Sequence, residues 1–143
     1  MNNEFIKYHA GSDTYIIGKK AYFEDAVAID GNAMVGAGAN FWKGLKVSGS
    51  LELGKGSFVK GDVKAENAII GSRTEINGNV EVENDLTLLD EVAIAGSATC
   101  GGEMLVRPGC SMAFAKAEKT LELIGKVDVK EIETGTKVIV RSE

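Results

Sequence analysis

From Val59 the chain reads VKGDVKAENAIIGSRTE (59–75), INGNVEVENDLTLLDEVA (76–93) and IAGSATCGGEMLVRPGCS (94–111), and Met112 opens the next line. The lines are 17, 18 and 18 residues long, and each begins with an aliphatic residue two positions before Gly61, Gly78 or Gly96. A repeat of this length, alternating apolar and polar with Gly or Asn at the breaks, predicts one coil of a three-sided β-solenoid per line.

Working outward, every sixth residue is apolar from Ile29 through Val35, Phe41, Val47, Leu53 and Val59 to Ala65. After a one-residue deletion the phase resumes at Ile70 and runs through Ile76, Val82, Leu88, Ile94, Cys100 and Val106 to Met112. Coils rise about 4.8 Å, the spacing of paired strands, so Val59, Ile76, Ile94 and Met112 should stack in one buried column. Lys60, Asn77 and Ala95 should then face away. Between the sixth residues Val80, Val82, Leu86 and Leu88 point inward while Glu81, Glu83, Asp85 and Thr87 are polar, which is the period-two pattern of strands. Gly49, Gly61, Asn67, Gly78, Asn84, Gly96 and Gly102 suit the corners.

The expected architecture is all-β, a parallel β-helix of roughly five to six coils with capping segments at both ends. Residues 1–25 are read as an N-terminal tail or cap, 26–118 as the β-helix core and 119–143 as a final coil or C-terminal cap. The first segment holds five of the nine aromatic residues, Phe5, Tyr8, Tyr15, Tyr22 and Phe23, which would cover the open end of a stack. Phe5, Ile6 and Tyr8 are also the candidates for contact with a membrane surface or a partner. In the last segment Gly135 lies between two alternating runs and predicts a turn that folds Lys126–Val140 back over the C-terminal end.

At 143 residues with 44% hydrophobic and 26% charged residues, the chain is the size of one globular domain. Its 18 Gly and single Pro predict many tight corners and no proline-rich linker. A net charge of −5 argues against a nucleic-acid partner. Charge is uneven: residues 43–73 carry six Lys/Arg against three Asp/Glu, whereas 74–91 carry six acids and no base. Solvated faces are the simple reading and complementary contact between subunits the sharper one. The opening MNNEFIKYHA has neither a cationic start nor an apolar run, and no stretch approaches the ~20 apolar residues of a membrane span. With two cysteines in apolar phase, the expectation is a reduced, cytoplasmic protein, with membrane association through the N-terminal tail as a variant.

Reactive groups are scarce. The only histidine, His9, lies outside the repeat with no partner for general-base or metal chemistry. Cys100 and Cys110 are ten residues apart rather than one coil apart, which disfavours both a disulfide and a zinc site. Gly36-Ala37-Gly38 and Gly54-Lys55-Gly56 lack the Lys-Ser/Thr and following helix of a phosphate loop. The acids Glu81, Glu83, Asp85, Asp90 and Glu91 have no calcium-loop spacing and read as an outer face. No catalytic residue, cofactor or metal site is expected, and the chain does not read as an enzyme.

The run GSLELGKGSFVKGDVKAENAII, followed by INGNVEVENDLTL and VRPGCSMAF, resembles the bactofilin family of polymer-forming cytoskeletal proteins over roughly residues 38–114. The resemblance implies a right-handed, three-sided β-helix that joins end to end into filaments without nucleotide, its partner being itself. It also implies an apolar contact on the terminal coil, matched here by Met112 with Phe114 two residues on. The chain departs from the family in lacking proline-rich tails, and capped ends would confine it to small oligomers. Two rivals stand beside this reading. One is a left-handed hexapeptide-repeat enzyme, an acyltransferase or a carbonic-anhydrase-like trimer. It shares the six-residue rhythm, but hexads at Phe41, Val47, Val59 and Val82 break its pattern and the repeat contains no histidine. The other is a β-helical interaction domain that does not polymerise.

Overall fold

The structure, a computed structural model, describes residues 6–133 and 136–142. Among these the only helical element is a 3-10 turn at Ala10–Ser12. The strands are β1 (Ile6–His9), β2 (Thr14–Ile17), β3 (Tyr22–Phe23), β4 (Val27–Ile29), β5 (Asn32–Val35), β6 (Asn40–Phe41) and β7 (Leu45–Val47). They continue with β8 (Ser50–Leu53), β9 (Phe58–Val59), β10 (Val63–Ala65), β11 (Asn67–Ile70), β12 (Glu75–Ile76), β13 (Val80–Val82) and β14 (Leu86–Leu88). The last are β15 (Ala93–Ile94), β16 (Ser97–Cys100), β17 (Glu103–Val106), β18 (Ser111–Ala117), β19 (Thr120–Ile124), β20 (Asp128–Ile132) and β21 (Lys137–Arg141).

These strands build a parallel β-solenoid of about seven turns. One ladder runs β2-β5-β8-β11-β14-β17-β19-β21, with β1 added antiparallel at its start. Two further columns, β3-β6-β9-β12-β15 and β4-β7-β10-β13-β16, converge on the longer strand β18, which carries β20 above it. The strands are so short because each ends at a corner. At these corners side chains take over part of the ladder. Asp62 Oδ1 accepts from the Asn79 amide at 2.8 Å, Asn79 Oδ1 from the Ser97 amide at 2.9 Å, and Asp85 Oδ1 from the Glu103 amide at 2.9 Å.

The expected column forms. Val59, Ile76, Ile94 and Met112 are 0%, 0%, 3% and 2% exposed, Ile76 lies in register with Val59 and Ile94, and Lys60, Asn77 and Ala95 face solvent. The column also extends beyond the expected coils, down through Phe41 to Phe23, whose rings stack at 5.2 Å, and up to Val129 above Met112. The one-residue deletion falls at a corner: Glu66 alone replaces a two-residue bend, donating to Gly49 O at 3.0 Å and accepting from the Asn84 amide at 2.8 Å. Pairing on both flanks therefore keeps its phase, Ala65 against Val82 and Ala68 against Leu51.

The ends differ from expectation. The parallel ladder already begins at Thr14, inside the segment read as a cap, because Thr14–Ile17 pairs with Asn32–Val35. At the other end β20 and β21 do not fold back as a hairpin; each continues a column in parallel, on β18 and β19. The expectation of five to six coils is corrected to about seven. At the C-terminal end the fainter patterning accompanies inward residues left partly exposed, Val129 and Ile132 half-buried and Val138 and Val140 exposed, whereas Ile17, Ala21 and Phe23 near the N-terminus are buried. Gly135, expected at the turn, lies outside the described residues.

Candidate assembly surface

At the C-terminal end the inward rows run out of cover. Val138 and Val140 sit in register over Leu121 and Leu123 but are 39% and 71% exposed, while Leu121 beneath is fully buried. Val129 over Met112 and Ile132 over Ala115 are half-buried, although Met112 and Ala115 are buried one coil below. Among the described residues β20 pairs only with β18 and β21 only with β19, so both present an outer row of backbone groups and an apolar cross-section. Among the described residues the last coil thus leaves its inward rows uncovered.

The N-terminal end is treated differently. β1 turns back through the 3-10 turn and Asp13, whose φ is 50°, and pairs antiparallel with β2, Ile6 opposite Ile17 and His9 opposite Thr14. Tyr8 Oη donates to Asp13 Oδ1 at 2.8 Å and its ring lies 4.6 Å from that of Tyr15. The Asp13 carboxylate holds the Tyr8 hydroxyl above its ordinary pKa, because ionisation would lose that donated bond. Ile6 packs on the core. Ile6 and Tyr8, candidates for a membrane or partner contact, are therefore members of a hairpin that covers a strand edge; Phe5 lies outside the described residues.

The other sequence candidates are accounted for. Met112 is buried and Phe114, half-buried between Ser97 and Glu131, has a strand on each side, so neither lies at the end of the stack. The apolar residues on the last described coil are instead Val129, Ile132, Val138 and Val140. That set was missed because residues 116–140 lose the sixth-residue rhythm. The surviving signal is the 17-residue step from Leu121 and Leu123 to Val138 and Val140. His9 is exposed, with Nδ1 2.8 Å from Ser12 Oγ, and closes the same turn. Cys100 and Cys110 are buried free thiols, and burial pushes both pKa values up. No cluster of three or more metal-ligating side chains occurs among the described residues, and no helix is long and apolar enough to cross a membrane.

No family model matches the chain, nor does any curated protein or solved structure. The geometry defines it as a parallel β-solenoid whose first ladder strand is paired by a hairpin and whose last described coil leaves apolar residues exposed.

Proposed function

We propose that this protein is a structural scaffold that self-associates through the C-terminal end of its solenoid, without nucleotide and without catalysis. The observation that carries the reading is the exposure of Val138 above fully buried Leu121 and of Val140 above half-buried Leu123. A second copy would supply the missing strand neighbours and remove this apolar surface from water, at about 25 cal/mol per Å². The bactofilin-like sequence supports the same role, and with it a right-handed, three-sided cross-section and a cytoplasmic setting. The covered N-terminal edge favours a discrete pair joined by C-terminal ends over a filament, because filament growth needs both ends and β1 occupies one edge of the starting coil.

Sedimentation velocity across a concentration series tests this. The wild type should dimerise. Val140→Lys should be monomeric with an unchanged circular dichroism spectrum, since an unpaired ammonium in a closing contact costs several kcal/mol and each ~1.4 kcal/mol is tenfold in Kd. A wild type that stays monomeric at high concentration would refute self-association. Long filaments in negative stain would restore the polymer and refute the closed pair.

A further inference from the structure

The outer face of the long ladder carries a groove of about 790 Å³ that runs along the solenoid axis. Its floor is the column Gly18, Gly36, Gly54 and Gly71, and Leu89 ends it. At Gly36, Gly54 and Gly71 the floor has to be glycine. A Cβ at Gly54 would lie 2.5 Å from the Gly36 carbonyl carbon, and one at Gly71 would lie 2.5 Å from Leu53 O. Ile16, Met34 and Ile69 form the wall at 44%, 49% and 42% exposure, with Glu52 between Met34 and Ile69.

The floor amides of Gly36, Gly71 and Leu89 are already used. Gly36 N donates to Ile17 O at 2.8 Å, Gly71 N to Leu53 O at 2.7 Å and Leu89 N to Ile70 O at 3.0 Å. A peptide laid in the trough would turn backbone groups toward a surface with no partner to offer, whereas an alkyl chain has no such need. Charge along the rim gives the groove a direction. Lys19 and Lys55 line it, on corners separated by the uncharged Gly36–Gly38 corner, with Lys20 and Arg73 on the Lys19 corner and the one after Lys55; among the described residues none of the four has an acidic side chain within 4.0 Å, in a chain whose net charge is −5. Past Leu89 the corner carries Asp90, whose Oδ1 accepts from Arg107 Nε at 3.0 Å, and Glu91. From Gly18 to Leu89 the groove spans four coil spacings, about 19 Å. One acyl chain covers roughly 15 Å, half of the ~30 Å hydrocarbon core of a bilayer.

We propose that this groove binds a free single-chain anionic lipid of the long-chain fatty acid class. The alkyl tail lies on the glycine floor toward Leu89, and the carboxylate sits at Lys19 and Lys20. That placement keeps the carboxylate two coils from Glu52 and four from Asp90. Met34, unbranched and flexible, adapts the wall to the chain.

The test uses the full chain and fluorescently labelled palmitate, titrated below its micelle-forming concentration. Saturable binding is expected, weakened roughly tenfold or more by Met34→Asp and by the Lys19→Glu/Lys20→Glu pair. Both replacements are at exposed positions, and circular dichroism checks that the fold persists. Cetyl alcohol, the same chain without the charge, should compete poorly. Absence of palmitate binding, or equal affinity in the variants, would overturn the proposal. Binding to phosphatidylglycerol vesicles without binding to monomeric palmitate would also overturn it, in favour of a membrane contact. Val140→Lys should bind palmitate as the wild type does, which separates this site from self-association.

Discussion

Ile76→Ala tests the stacked core most directly. Ile76 is fully buried at the middle of a seven-member column, between Val59 and Ile94. Removing three carbons forfeits about 2.4 kcal/mol at ~0.8 kcal/mol per methylene. The cavity term adds to this, and here it should be near its maximum. The strands on both sides are held at ladder spacing by their hydrogen bonds, Asn77 N to Val59 O at 2.9 Å and Ala95 N to Ile76 O at 2.8 Å, so the gap cannot close by collapse. The expected loss is about 3–5 kcal/mol. Urea unfolding followed by far-ultraviolet circular dichroism measures it, with Val140→Ala, at the exposed end of an inward row, expected to cost less than about 1 kcal/mol. Equal losses at the two positions, or a loss below ~1 kcal/mol for Ile76→Ala, would refute the column as the source of stability.

Two further outcomes follow from the same geometry. Gly71→Ala should destabilise the protein far more than Gly56→Ala in the same urea assay. A Cβ at Gly71 meets Leu53 O and Lys55 N at 2.5 Å, whereas Gly56, although at φ +65°, has open space and should cost only about 1–2 kcal/mol of backbone strain. Cys100 and Cys110 should resist alkylation at neutral pH until the protein unfolds, since burial both raises their pKa values, favouring the neutral thiol, and blocks access; rapid modification of the folded protein, read by mass spectrometry, would contradict their placement.

Much of this protein was legible in one dimension. The repeat length, the inward column from Val59 to Met112, the polar outer faces, the corners and the buried thiols all follow from local periodicity. In a solenoid each residue meets its counterpart one coil away, so phase alone fixes contact. Phase also survived the short coil, because the missing residue fell at Glu66 rather than within a strand.

Periodicity could not show where the stack stops. An end is defined by the neighbour that is missing, and Leu121 and Val138 share a phase and an aliphatic side chain while one is buried and the other exposed. This is why Met112 and Phe114 looked terminal and are not. The direction of β1 was equally hidden, since the tight bend at Ala10–Asp13, not any feature of Ile6–His9, sets it antiparallel to β2. The groove, too, exists only in three dimensions. Ile16, Met34 and Ile69 are scattered apolar residues along the chain, and stacking sets them beside a floor kept bare by the close approach of successive coils.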